Sequence, residues 1–455
     1  MIGDRGDAHR CAVAYDRPRP SLPIDVLMPH VSSIATETPF SPDPQRWPDV
    51  AHIPPSGARA ILAELLIRRI ARRLSIRVVL PDGAELGSAG QDTPTLRLKE
   101  PRAFYRRLAS SGLIGFGESY QAGEWDCDDL VSLLRLFADR IEMLVPHYLK
   151  WLRHLHSARR PVREDNSIAG AERNIRHHYD LPSELFALFL DETMTYSAAM
   201  FEEDSVGAPI AHDDVFSEAQ HRKIDRLLDE TGVKSGTTLL EIGTGWGELA
   251  IRAALRGASV RTITNSTLQY QLARKRISAA GVSEHVEVDL IDYRKAADEA
   301  RTYDAILCVE MIEAVGEKYW PVFLKTLDQI LAPSGRIGLQ AITMSHRRLV
   351  ATRHTYTWIQ KYIFPGGIIP SLQAIEEVCR RHTSLGIVQV HSFGPHYAQT
   401  LRLWRDRFGR RANELPAIGL DRTFQRTWNL YLAYCEAGFS AGYLDAQQII
   451  LTRPA

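Results

Sequence analysis

At 455 residues the chain is about three times a typical domain of ~150 residues, so a single small domain is excluded and two or more folded units are expected. Lys and Arg number 55, as do Asp and Glu, so the net charge is zero and no nucleic-acid partner is expected. Apolar residues at 45% and charged residues at 24% allow a large core and exclude a chain that is disordered throughout.

Residues 1–55 hold ten of the 24 prolines and few periodic apolar positions, so a disordered proline-rich leader is expected there. The text changes at 57–77, GARAILAELLIRRIARRLSIR. Leu62, Leu66, Ile70 and Leu74 recur every fourth residue, and six arginines crowd the other positions. That spacing predicts a basic amphipathic helix, which either packs on a core or lies on a membrane surface. The sequence leaves both readings open. A strand-like run at 76–80, a Pro-Asp-Gly turn at 81–83 and helical text at 101–111 and 128–144 follow. Residues 56–155 therefore read as a small mixed α/β domain, the charged aperiodic stretch 156–170 as a linker, and 171–455 as a second domain.

Past residue 170 strand and helix alternate. Strands are expected at 237–242, 259–264, 285–290, 303–309 and 335–342, with helices at 249–256, 267–280 and 317–331 between them. This pattern predicts a doubly wound α/β fold, a parallel sheet with helices on both faces. The cysteines, at 11, 127, 308, 379 and 435, form no CxxC pair or disulfide framework, which fits a reducing cytoplasm. No apolar run approaches the ~20 residues of a spanning helix, and the first ten residues carry charges where a signal peptide needs an apolar core. A cytoplasmic protein, at most peripheral on a membrane, is expected. His177 and His178 lack a second ligand cluster, so no metal is expected.

The first strand of the second domain ends in EIGTGWG (241–247) and runs straight into a helix. Gly243, Gly245 and Gly247 let the backbone turn tightly against a ligand at the carboxyl edge of a parallel sheet. The spacing is GxGxG, not the GxGxxG of a dinucleotide fold, and alone it is a weak signal that a plain tight turn also fits.

The flanking text adds a resemblance. HHYDLPSELFALFLDETMTYSAAMF (177–201), LLEIGTGWGELA, TNSTLQ (264–269), VEMIEAVG (309–316), KYIFPGGIIPS (361–371) and AYCEAGF (433–439) occur in the order seen in cyclopropane-fatty-acyl-phospholipid synthases. Residues 81–125 also look like the amino-terminal domain of the family's long members. The resemblance implies a Rossmann-like class I methyltransferase with a smaller mixed α/β N-terminal domain. It also implies S-adenosyl-L-methionine as cofactor, and the unsaturated acyl chains of phospholipids at a membrane surface as substrate.

Under that resemblance Gly243, Gly245 and Gly247 approach the methionine part of the cofactor, and Tyr196 and Ser197 hold its amino-acid end. Thr264, Asn265 and Gln269 fall where the family contacts the ribose, and Asp292 and Tyr293 near the adenine. Family members hold a bicarbonate that takes up the proton. Of its five holders Glu313, Tyr397 and Cys435 are present here, whereas Ala198 stands for a cysteine and Gln340 for a histidine. Glutamine cannot take up a proton as histidine can, which puts bicarbonate in doubt. Glu313 is the expected proton-handling residue, with Glu310 on the same helical face and assigned to the cofactor.

A weakened base gives the acyl cation time for a hydride shift, after which proton loss leaves a methylene branch. The resemblance is thus to the branch making 10-methylene chains, from which a separate reductase makes 10-methyl lipids; the cyclopropane ring is the alternative product. Other readings are a nicotinamide oxidoreductase, disfavoured by Thr264 and Asn265 where an acidic residue is needed, and a non-catalytic lipid-binding protein. Whether the chain is a monomer or a homodimer is open.

Overall fold

The computed structural model describes residues 40–55, 57–74, 76–87, 90, 93–140, 166–167, 170 and 181–454. Residues 1–39 of the expected leader, nearly all of the expected linker, the end of the 128–144 helix, His177 and His178 lie outside them. The described part of the leader makes fixed contacts. Val50 is buried, Trp47 Nε1 donates to Asp421 at 2.8 Å, and the carbonyls of Asp49, Val50 and His52 accept from the buried Arg107 guanidinium. Arg107 Nε in turn meets Glu124 at 2.7 Å. A guanidinium with five donors thus anchors a short segment that has no periodic apolar face of its own, and packing begins upstream of residue 55.

Strands β1 (Arg77–Val79), β2 (Glu85–Leu86), β3 (Thr95–Leu98) and β4 (Trp125–Cys127) form a small sheet of order β2-β1-β3-β4. Helix Gly57–Leu74 covers it, with a face different from the one its leucines suggest. Ala60, Ala63, Ile67, Ile70, Ala71 and Leu74 face the core, while Ile61, Leu62 and Leu65 are 62%, 66% and 58% exposed. Each four-residue step overshoots a full turn by about 40°, so the expected stripe winds off the buried face, whereas mixed three- and four-residue steps stay on it.

A hairpin of β5 (Glu202–Glu203) and β6 (Pro209–Ile210) precedes the main sheet. The main sheet contains β7 (Thr238–Ile242), β8 (Ser259–Thr264), β9 (Val286–Leu290), β10 (Tyr303–Val309), β11 (Leu331–Thr343), β12 (Gly386–Ser392) and β13 (Asp445–Thr452). Its order is β12-β13-β11-β10-β7-β8-β9, with β7 to β11 parallel and β13 antiparallel to both β11 and β12. Leu239, Leu240, Ile306, Leu307, Ile337, Leu339 and Ile449 are fully buried, as a sheet covered on both faces requires. The strand order reverses at β7, between β8 and β10, which opens a crevice at the carboxyl ends of these strands.

Ser41–Ala455 forms one compact unit. Helix Arg422–Ser440 packs on Leu130–Asp139 and Leu113–Gln121 as well as on Gly394–Arg410, so one apolar cluster runs from the small sheet to the main-sheet crevice. Among the described residues no helix is long and apolar enough to cross a membrane.

Candidate active site

The glycine turn leaves β7 with φ of 98° at Gly243, 52° at Gly245 and 93° at Gly247, a region that side chains enter only with strain. The amides of Gly243 and Thr244 reach Ile263 O at 2.9 and 3.3 Å, which ties the turn to the end of β8. A Cβ on Gly245 would meet nothing within 4 Å, and one on Gly243 only Met311 Sδ at 4.0 Å. The turn therefore has an open side where backbone can meet a ligand. Beneath it Glu241 is buried, and burial pushes its carboxyl up to about 8.

The ends of β8 and β9 carry the polar groups expected there. Thr264 Oγ1 donates to Gln269 Oε1 at 2.8 Å, and Asn265 Nδ2 to Asp292 Oδ2 at 3.3 Å. Burial pushes the Asp292 carboxyl up, but two Arg294 hydrogen bonds of 2.7 Å outweigh it and hold the group below its ordinary value. Tyr293 is buried edge-on against Phe323 with ring centroids 5.3 Å apart, so its ring belongs to the core under the crevice. Open glycine backbone beside Asn265, Gln269 and Asp292 fits a cofactor with an amino-acid end and sugar hydroxyls.

Tyr196, Ser197 and Ala198 lie outside helix and strand, held by Gln220 Nε2 donating to the carbonyls of Thr195 and Ser197. Tyr196 shares a 2.7 Å hydrogen bond with Tyr431. The buried Lys223 ammonium, pulled down to about 8 by burial, donates to Ser197 Oγ at 2.7 Å.

Glu310 stands at the centre of this site. It has a φ of 50° without being a glycine, a conformation kept only where the surroundings fix it. Its Oε1 accepts from Ala198 N and Gln340 Nε2, both at 2.9 Å, and its Oε2 from Tyr397 OH at 2.6 Å. Burial raises this carboxyl above its ordinary value, and Tyr397, Ala198, Gln340 and the nearby Lys223 charge offset part of that rise. Glu310 lies between β10 and the short helix Ile312–Val315 and so does not share a helical face with Glu313, as the spacing had suggested; Glu313 accepts the Ile342 amide at Oε1, and its buried Oε2 has no partner among the described residues. Burial, then repulsion from Glu310, pushes it up to about 8.

Aromatic rings surround the pair. Tyr397 lies against Phe439 with centroids 4.4 Å apart, Tyr196 against Trp404 at 5.2 Å, and Tyr431 against Phe364 at 5.8 Å. Trp246 of the glycine turn meets Phe186 at 4.9 Å, so these rings connect the turn to the carboxyls. Cys435 packs among them, its thiol kept neutral by burial that pushes it up to about 12. The structure brings Tyr397, Gln340 and Glu313 together around Glu310, which contacts them and not the glycine turn. An isolated polar site amid rings can hold an apolar chain and one developing positive charge.

The sequence profile of the mycolic acid cyclopropane synthetase family matches residues 167–449. The tuberculostearic acid methyltransferase UfaA1 of Mycobacterium tuberculosis is 51% identical over 414 residues, covering 90% of this chain and 96% of that protein. The cyclopropane-fatty-acyl-phospholipid synthase of Escherichia coli K12 is 31% identical over 372 residues, 81% of this chain and 89% of that one. Among solved structures, the M. tuberculosis cyclopropane synthase MmaA2 matches with a TM-score of 0.55 at 30% identity, covering 62% of this chain and 97% of that one. The mycolic acid cyclopropane synthase CmaA1, solved with SAH and CTAB, also gives a TM-score of 0.55, at 29% identity over 62% of this chain and 97% of that one. The glycine turn at a strand-order reversal and these matches agree: the chain belongs to the mycolic acid cyclopropane synthetase family and is an S-adenosylmethionine-dependent methyltransferase.

Proposed function

We propose that the chain adds a methyl carbon to the cis double bond of an oleoyl-type phospholipid acyl chain and releases a 10-methylene branch. The observation that carries this reading is the Glu310 carboxylate, fixed by the Ala198 amide, the Gln340 amide and the Tyr397 hydroxyl. The name of the relative UfaA1 points the same way. Gly243, Gly245, Gly247, Asn265, Gln269 and Asp292 would hold the cofactor, with Tyr196 and Ser197 at its amino-acid end. Bound there, S-adenosylmethionine supplies an electrophilic methyl group.

Methylation of one alkene carbon leaves its neighbour cationic. Glu310, a preorganised anion among rings, stabilises that charge. Burial raises Glu310 above a free carboxylate, but its three donors make it a weaker base than burial alone would, so a hydride shift from the methylated carbon, which makes the cation tertiary, precedes proton loss. A proton then passes from the new methyl group to Glu310, and its C–H electrons form the C=CH2 double bond of the branch. Earlier loss of the same proton would close the ring. Glu313 keeps its own proton up to about pH 8 and is not the base at neutrality. Tyr397 and Gln340, two of the groups that would face a bicarbonate, already bind Glu310, which takes its place as the base. A saturated product requires a separate reductase.

The exposed Ile61, Leu62 and Leu65, followed on the same outward face by Arg69, Arg72 and Arg73, support peripheral docking on the cytoplasmic side of an anionic membrane, where such acyl chains lie. Expression in a host lacking branched and cyclopropane lipids, with NMR of its fatty acids, tests the product. Vinylidene proton signals are expected; cyclopropane signals with a mass gain of one CH2 would reject the methylene product. Glu310→Gln should bind the cofactor normally and turn over about 100-fold more slowly.

A further inference from the structure

We infer that Gln448 and Arg226 form a hydrogen-bond relay that fixes the Gln340 amide and thereby weakens Glu310 as a base. Both are positioning residues, and the inference rests on the Glu310 reading above. The relay has three links. Arg226 Nη1 donates to Gln448 Oε1 at 3.0 Å, Gln448 Nε2 to Gln340 Oε1 at 3.1 Å, and Gln340 Nε2 to Glu310 Oε1 at 2.9 Å.

The two ends of a primary amide have nearly the same shape, so packing alone does not decide which way Gln340 points. Its neighbours decide. Arg226 offers only donors, so the Gln448 atom facing it must be the oxygen. The Lys223 carbonyl offers only an acceptor and takes Gln448 Nε2 at 3.0 Å, which fixes the other end. The second Nε2 proton then reaches Gln340 Oε1 and leaves Gln340 Nε2 facing Glu310. A reversed Gln340 would set oxygen against the carboxylate and NH2 against NH2.

Gln340 and Gln448 are registered partners on β11 and β13, and both are fully buried in strands otherwise rich in Ile and Leu. Burying two primary amides in a sheet interior is costly unless every polar atom is paired, and an aliphatic pair would serve packing better. The amides therefore serve the carboxylate at their end. Arg226, partly exposed and also 3.3 Å from Glu230, is the charged outer terminus. The other ionisable groups facing Glu310 are Tyr397 from helix Gly394–Arg410, Lys223 from helix Phe216–Glu230, and Glu313 from the short helix Ile312–Val315. Arg226→Met touches none of these groups directly, and Gln448→Met removes a bond only to the Lys223 backbone carbonyl, not to its ammonium.

The test uses the full chain with S-adenosylmethionine and vesicles of oleoyl phospholipid, comparing wild type with Gln448→Met and Arg226→Met. Cutting the relay frees Gln340 to turn away, and loss of a donor makes the carboxylate more basic. The acid limb of the kcat profile should move up by about half a pH unit or more. The cyclopropane fraction of the product should rise, and the KM for S-adenosylmethionine should stay within about two-fold. An unmoved acid limb and product ratio in both variants would overturn the relay. So would a loss of kcat that merely tracks cofactor affinity and thermal stability. If Gln448→Met does not fold, Arg226→Met, which cuts only the outer link, decides by the same readouts. A wild type that forms no product overturns the Glu310 reading, whereas an active wild type with unaltered variants overturns the relay alone.

Discussion

Burial raises two carboxyl groups three positions apart, Glu310 and Glu313, but Glu310 is held back by three donors and the Lys223 charge, whereas Glu313 has backbone amides only and is repelled by Glu310. Glu313 consequently makes stability depend on pH. Folded, it keeps its proton up to about 8, while unfolded it gives it up near 4.5, so between these values the folded chain holds the extra proton. Stability must then fall as pH rises through that window, by the linkage between proton binding and folding. Glu313→Gln, neutral at every pH, should flatten this fall: melting temperatures from pH 5 to 8 should decline less than in wild type. Identical slopes would mean that Glu313 is ionised in the folded chain. Sequence showed that Ala198 and Gln340 depart from the family pattern, but not what the departures make room for. The three donors to Glu310 come from positions 198, 340 and 397, and neither their convergence nor a φ of 50° at a glutamate is written in local text.

Among elements, the strands that alternate with helices were legible. The expected runs 259–264 and 303–309 match β8 and β10 end for end: residues 305–309 form the continuous apolar run of a buried parallel strand, and β8 is rich in β-branched Val, Ile and Thr. The strands β12 and β13 escaped notice. β12 is half exposed and lies at the sheet edge, and β13 inserts antiparallel after two long helices, a reversal that no local periodicity encodes. Equally hidden was the contact joining the N-terminal helices to the site. Trp358 sits so close to Gly117 that a Cβ there would lie 2.4 Å from its Cδ1, and its Nε1 donates to Gln121 at 2.9 Å. Nearby, Lys361 and Tyr362 both reach Glu118, at 2.6 and 2.8 Å, and the same segment continues to Phe364, which packs on Tyr431. Gly117→Ala should cost about 1–3 kcal/mol through overpacking. It should also raise the KM for the acyl substrate while cofactor affinity holds, since Phe364 moves and the glycine turn does not. An unchanged melting temperature would show that Trp358 yields without cost.

For the molecule as a whole, zero net charge is a sum of unlike parts. Residues 57–77 carry six arginines against Glu64, so the rest of the chain is net negative by five. On helix Gly57–Leu74 this excess is ordered in space. Its first half turns Ile61, Leu62 and Leu65 outward, and its second half Arg69, Arg72 and Arg73. Apolar side chains enter the acyl boundary of a bilayer while arginines stay among the headgroups, so in the proposed docking the two halves would bind different layers of one surface. Three arginines near an anionic leaflet contribute about 1 kcal/mol each, or roughly 100-fold in affinity together. Arg69→Glu with Arg72→Glu and Arg73→Glu should therefore lower partition onto anionic vesicles by at least that factor and remove its salt dependence, while binding to neutral vesicles changes little. Ile61→Ser with Leu62→Ser and Leu65→Ser should weaken binding to both kinds of vesicle at any salt concentration. Both triple variants should still methylate detergent-dispersed lipid at the wild-type rate, because the helix lies outside the site. Unaltered sedimentation with vesicles in both would show that this face does not meet the membrane.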